Sequence, residues 1–180
     1  MLFRSKQRSG YLYKKVAERL GFQVETVTTA ALVYGHEMEP QAVLTYESMQ
    51  HVETETVGFC TTDDGRYGAS PDRLVDGGKG ILQIKCAYVP WTQIAHFASP
   101  ELESLKNEHY PQIQGEMLVT GAQWCDIVSY FPGLPLLCVR VERDPVYQRA
   151  LEEALNLFCK DLDQLEKQLR AHPETVLEAA

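Results

Sequence analysis

No stretch of this 180-residue chain stays apolar for the length that a membrane-spanning helix requires, and its N-terminus has no signal-peptide hydrophobic region. A soluble, cytoplasmic protein with no membrane partner is therefore expected. The five cysteines (Cys60, Cys86, Cys125, Cys138 and Cys159) are odd in number, scattered, and lack any CxxC pair. That argues against a disulfide framework, a zinc ribbon or a cysteine-ligated iron–sulfur cluster, and predicts buried thiols in a reducing compartment. There is no internal repeat and no low-complexity linker. There is also no excess of positive charge: the net charge is −8, which speaks against a uniformly basic nucleic-acid binder. Charge distribution still matters more than its sum. Residues 1–17 contain Arg4, Lys6, Arg8, Lys14 and Lys15 and no acid, while much of the acidic excess follows Asp144.

A hydrophobic content of 44% over this length is enough for one ordinary core, so a single domain spanning 1–180 is expected, with a frayed tail at 171–180. Helical spacing predicts a helix over Tyr11–Leu20 with Gly21 as its C-cap, and a second over about Thr29–Gln50. Pro40 interrupts the second, predicting a kink or fresh start near Glu39. From Val52 to Cys86 the pattern turns to strands, around the turn signal Asp76-Gly77-Gly78-Lys79. Pro100 and Pro111 punctuate two helical stretches, the second from about His109 to Gly121. "WCDIVSYF" and "PLLCVRVE" read as buried strands joined at Pro132-Gly133. A long amphipathic helix follows, opened by Asp144 as N-cap and Pro145 at N1.

The hairpin turn gathers chemistry. A two-residue turn at Gly77-Gly78 sets Asp76 opposite Lys79, and counting back sets Asp72 opposite Gln83. Opposed residues of an antiparallel pair share a face, and alternation puts Lys85 on that face too. Gln83 and Lys85 lie within the apolar run Ile81, Leu82, Ile84, Cys86, where a polar side chain needs a reason. An exposed hairpin face with ordinary polar residues is the competing account, and the bare pattern D-x10-Q-x-K is weak by itself.

The surroundings are more specific. "ASPDRLV", a glycine turn and "ILQIKC" resemble the SPDG…LEIKC core of the lambda-exonuclease/YqaJ family of viral recombination nucleases, in the PD-(D/E)xK superfamily. "YGHEMEPQA" resembles the family helix in which a glycine is followed four residues later by glutamate. "HYPQIQGEMLVTG" resembles its Y-x-x-Q-x-Q helix, and "CVRVERDPVYQ" its closing strand-to-helix passage. The resemblance covers about Tyr11 to Leu169. It implies an α/β, restriction-endonuclease-like core, a central mixed sheet flanked by helices. It also implies roles: Asp72 as bridging metal ligand, Lys85 as catalytic lysine, Glu39 as the helix glutamate beside the metals, Gln112 as first glutamine of the Q-x-Q helix, and Ile84 as donor of a main-chain carbonyl to metal. The implied cofactor is Mg²⁺, with Mn²⁺ as a substitute; carboxylates suit these hard cations, which activate water and neutralise charge in phosphodiester hydrolysis.

Two departures stand out. Gln83 occupies the position of a metal-binding glutamate, keeping shape and one carbonyl oxygen but losing the charge. A designed inactivating isostere and a natural degenerate copy both account for it; the intact surrounding motifs favour the first. The chain also opens at "MLFRSKQRSGYLY", which reads as beginning after the family segment that holds the DNA 5′-phosphate. Arg4, Lys6 and Arg8 are candidate backbone contacts, whereas Lys14 and Lys15 read as the solvent face of a helix. His36 reads as an exposed helix residue, His109 as a DNA-facing or surface one, Trp91 and Trp124 as packing residues, and Glu116, one turn beyond Gln112, as a surface glutamate rather than hydrogen-bonding support for the site.

The resemblance implies a Mg²⁺-dependent 5′→3′ exonuclease on double-stranded DNA ends, making 3′ overhangs for phage-type recombination and impaired by Gln83. A homotrimeric ring around DNA and a single-strand annealing protein are the implied partners. A related nuclease of different polarity and a catalytically silent DNA-end-binding module are the alternatives.

Overall fold

The computed structural model describes residues 6–24 and 28–172. They fall into two compact units, one formed within Thr28–Leu151 and the other from Met1–Val27 with Glu152–Ala180. The expected tail from 173 onward, and Arg4, lie outside the described residues. No helix among them is long and apolar enough to cross a membrane.

The smaller unit pairs α1 (Lys6–Arg19) with the later turns of α5 (Pro145–Ala171). Leu12 and Val16, one helical turn apart, close on Leu162, with Leu20, Phe158 and Leu165 around them. Arg8 pairs with Asp161 at 2.8 Å, so this candidate DNA contact is engaged within the chain. Lys15 pairs with Glu18 at 2.6 Å on the outer face. Asp144 caps α5 by accepting from the N–H groups of Val146 and Tyr147 (3.0 and 2.9 Å).

In the larger unit, α2 (Ala30–Gln50) starts on a Thr29 cap and runs without a break. The fresh start expected at Pro40 does not occur. Pro40 is exposed, so the backbone carbonyl that it leaves without a helical donor lies where water reaches it. Five strands follow: β1 (Thr54–Thr56), β2 (Cys60–Thr61), β3 (Gly68–Ala69), β4 (Arg73–Val75) and β5 (Gly80–Cys86). Then come α3 (Pro90–Ala98), a 3₁₀ turn (Pro100–Leu102), α4 (Glu103–Thr120), β6 (Trp124–Tyr130) and β7 (Leu137–Glu142). The helix expected from His109 begins six residues earlier: the break falls at Pro100, and Pro111 lies inside α4 on its exposed side.

The main sheet has the order β1-β4-β5-β6-β7, antiparallel except for the parallel pair β5–β6. This is the expected mixed sheet flanked by helices. Its two faces are filled separately. Leu82, Ile84 and Val128 meet Ala42, Val43 and Tyr46 of α2, while Ile81, Cys125 and Ile127 meet Leu105, Ile113 and Met117 of α4. Buried on both faces, β5 and β6 read as near-continuous apolar runs.

One close approach fixes the far end of the sheet. Gly80 pairs with Trp124, and a Cβ at Gly80 would overlap the Trp124 ring. Arg140 stacks over that ring, 3.6 Å from its centroid, and holds Asp126 with two bonds of 2.8 and 2.9 Å; Tyr46 donates to the same carboxylate at 2.8 Å. The ring is thus confined. Gly80→Ala should cost about 1–3 kcal/mol in urea unfolding, through overpacking. An unchanged unfolding midpoint would show that the ring yields freely.

Candidate active site

The β4–β5 hairpin turns through Asp76, Gly77 and Gly78, all with positive φ (51°, 62° and 84°). This is backbone that glycine adopts at little cost. The turn fixes the pairs Arg73–Leu82, Leu74–Ile81 and Val75–Gly80. The expected register is the one found, and one step beyond it Asp72 stands opposite Gln83. Strand β4 stops at Arg73. Past that point the Asp72 carboxylate, not a strand carbonyl, accepts the N–H of Ile84 (Oδ2, 2.6 Å). The same oxygen accepts from Gln83 Nε2 at 2.9 Å.

Two residues along β5, Lys85 emerges on the same face and donates from Nζ to Gln112 Oε1 at 2.9 Å. Gln112 turns its Nε2 to Glu116 Oε1, one helical turn further along α4, at 2.8 Å. From the opposite side, Glu39 of α2 meets Arg73 at 3.2 Å, while Arg73 also donates to the Asp72 main-chain carbonyl at 2.6 Å. Asp72, Gln83, Ile84, Lys85 and Glu39 line one cleft of about 400 Å³, with His36 and His109 further along its wall. Gln112 and Glu116 stand behind Lys85.

Electrostatics follow from burial. Asp72 is pushed up to about 6, chiefly by desolvation and secondarily by Glu39, against the downward pull of the Ile84 N–H and the Lys85 and Arg73 charges. Glu116, only 5% exposed, is pushed up to about 7 by burial, against the Gln112 hydrogen bond. Two buried oxygens on this side of the site, Gln83 Oε1 and Glu116 Oε2, have no hydrogen-bond partner.

The residue types fit a hard divalent cation in kind. Asp72 and Glu39 supply carboxylates, and Gln83 Oε1 is a buried oxygen without a partner. They do not make a charge-rich nest: among the described residues no group of three or more His, Cys, Asp or Glu is arranged to hold a metal ion. Gln83 is the reason on the strand side. Its amide donates to the Asp72 oxygen that a cation would use, whereas a glutamate there would need a shared proton or a cation between the two carboxyl groups.

Other positions differ from the sequence reading. Glu116 is buried support, not surface, because α4 turns it toward the sheet. Trp91, expected to pack, is 68% exposed on α3, while Trp124 packs under Arg140. His36 is exposed, as expected, and His109 is half-buried. Arg73 was missed. Its signal was an arginine directly beside Asp72 in the hairpin, where the resembled core has glycine.

The chain matches a family model, the YqaJ-like viral recombinase domain, over residues 2–123. Among solved structures it resembles LHK-Exo, an alkaline exonuclease from Laribacter hongkongensis, with 32% identity and a TM-score of 0.78, over 94% of this chain and 86% of that one. A structure of LHK-Exo in complex with dAMP matches at 32% identity, TM-score 0.80 and the same coverage. A phage-related exonuclease from Haemophilus somnus 129PT shares the fold at 17% identity and TM-score 0.78, over 92% of this chain and 85% of that one. No curated protein matches. The fold is of the kind found in exonucleases. The chain belongs to the YqaJ-like viral recombinase family.

The Glu116 carboxyl holds its proton more tightly in the folded chain than in the unfolded one. That contribution to stability is present below the ordinary glutamate range and is lost as pH rises through about 7. Glu116→Gln should therefore gain stability relative to the parent between pH 5 and pH 8, by on the order of 1–3 kcal/mol in denaturant titrations. A difference that does not change with pH would contradict the burial-driven shift.

Proposed function

We propose that this protein is a metal-dependent exonuclease that resects double-stranded DNA from its ends, 5′→3′, leaving 3′ overhangs for phage-type recombination. The observation that carries the reading is the Asp72 carboxylate at the open end of the hairpin, sharing one cleft with Glu39, Gln83 and Lys85. Family membership and the 32% identity to an alkaline exonuclease support it. The relative's bound dAMP is a deoxynucleoside monophosphate, the type of product that an exonuclease releases, and a cleft of about 400 Å³ has room for one.

In this reading Asp72, Glu39, Gln83 Oε1 and the Ile84 carbonyl would hold Mg²⁺, or Mn²⁺ in its place. Bound there, the cation supplies water activation and charge neutralisation at the scissile phosphate. Asp72 is kept in position by the Ile84 N–H, a backbone donor that cannot drift. Lys85 directs its ammonium toward the non-bridging phosphate oxygens, whose charge grows in the transition state, and orients the attacking water. Gln112 holds that ammonium at 2.9 Å before substrate arrives. A ring of three identical subunits enclosing DNA, and an annealing protein that receives the overhang, complete the reading.

Gln83 favours a second reading, a DNA-end-binding module with little or no cleavage, because its amide satisfies Asp72 without a cation. One comparison separates the two. Linear duplex with and without 5′-phosphate is digested in Mg²⁺ by this chain and by Gln83→Glu. The exonuclease reading expects cleavage to rise by orders of magnitude in Gln83→Glu while DNA affinity changes much less, the mark of an interaction used in the transition state. Equal cleavage rates would show that Gln83 is not the lesion. No cleavage by either chain, with end binding intact, would leave the binding module.

A further inference from the structure

The chain Lys85–Gln112–Glu116 ends on a residue to which no role is assigned. The amide of Gln112 has an oxygen and an NH₂ group of almost equal size, and only the oxygen can accept from the Lys85 ammonium. Although it shares a helix stripe with Glu116, Gln112 is itself exposed, so packing does not choose between its two orientations. Glu116 does: its Oε1 accepts from Gln112 Nε2 at 2.8 Å, which forces the amide oxygen toward Lys85. An apolar residue at 116 would leave the amide held at its oxygen end alone, by the Lys85 ammonium, and free to swing together with it.

The placement is tied to the fold. The parallel pair β5–β6 is connected through α3 and α4, and α4 runs back along β6, reaching β5 where Gln112 meets Lys85. Two strand residues advance about 6.6 Å and four helical residues about 6 Å, so two rungs align. Gln112 meets Lys85 on one rung; Gln83, two strand residues back, and Glu116, four helical residues on, each bury an oxygen without a partner. Glu116 also feels the charges of Asp72 and Lys85. A carboxylate so deeply buried is costly for stability alone; an apolar side chain of similar volume is commonly neutral or stabilising in its place.

We infer that Glu116 is a positioning residue for the catalytic lysine: it fixes the orientation of the Gln112 amide, and through it the Lys85 ammonium. The inference rests on the proposed nuclease reading for its catalytic consequence, but the positioning itself is measurable without cleavage.

The test uses the full chain and its Glu116→Met, Glu116→Gln and Gln112→Leu variants. Trace labelling with acetic anhydride, quantified by mass spectrometry, reports the freedom of each lysine amine, with exposed Lys14 and Lys160 as internal controls. Lys85 labelling should rise several-fold in Glu116→Met and equally in Gln112→Leu, while the controls stay constant. Glu116→Gln, which can still accept from Gln112, should label as the parent does. Unchanged Lys85 labelling in Glu116→Met overturns the inference, and so does a rise that Gln112→Leu does not reproduce. If Glu116→Met fails to fold, raising all lysines together, Glu116→Thr replaces it, since its short side chain also cannot reach Gln112, and the same two outcomes decide.

In the Gln83→Glu background, Glu116→Met should lower kcat about tenfold with KM within about twofold, and Glu116→Gln should restore it. A fall in Glu116→Gln as deep as in Glu116→Met would overturn the inference. If no variant cleaves DNA, the nuclease reading fails, and the labelling result still decides whether Glu116 positions Lys85.

Discussion

The hydrogen bond from the Ile84 N–H to Asp72 Oδ2 is the interaction on which the arrangement of the site depends. A strand that ends leaves its neighbour's backbone donors unpaired, and a buried unpaired donor costs roughly 1–3 kcal/mol. Here a side chain takes the place of the missing strand. That substitution brings a carboxylate to the sheet's edge, locks it against β5, and sets it opposite Gln83 with Lys85 two residues on. Because β5 is pinned to β6 over seven register pairs, the carboxylate inherits the rigidity of the sheet interior. A site built on such an element holds its geometry better than one built on loops.

Charge balance explains why residue 83 matters so much. Around the cleft Asp72 and Glu39 are negative, and Arg73 and Lys85 positive. With glutamine at 83 these four offset one another, and Glu108 further along the cleft adds a carboxylate. A glutamate there would place a second carboxylate against Asp72 on a buried strand position that is 4% exposed. Such a pair ionises together only with a cation between them. The amide therefore holds Asp72 as a cation would in the proposed nuclease, without offering a cation's chemistry.

Much of this was readable before any coordinates. The glycine turn alone fixes which residues oppose each other, since a two-residue hairpin leaves no freedom of register, and so Asp72, Gln83 and Lys85 could be gathered by counting. The cap at Asp144 was readable for the same reason, as a local rule that tertiary contacts did not override, whereas the mixed sheet was implied by the family resemblance. What was not readable depended on neighbours distant in sequence. Pro40 looked like a kink or fresh helix start and Pro111 like the opening of a helix from about His109, yet both lie exposed within longer helices, where a freed carbonyl finds water. Glu116 looked like surface decoration because nothing in the sequence states that the α4 face bearing it is turned to the sheet. Arg73 passed unnoticed because its partner, Glu39, lies 34 residues away on another helix.

In the proposed nuclease, Asp72 and residue 83 form one cation-holding pair whose affinity is set by the charge at 83. Isothermal titration of Mg²⁺ into the DNA-free protein tests it directly, comparing this chain with Gln83→Glu and with the double variant Asp72→Ala/Gln83→Glu. The account predicts weak binding by this chain, affinity higher by about tenfold or more with the added carboxylate, and loss of that gain when Asp72 is removed. Equal affinity in the first two proteins, or a gain that survives the loss of Asp72, would contradict it.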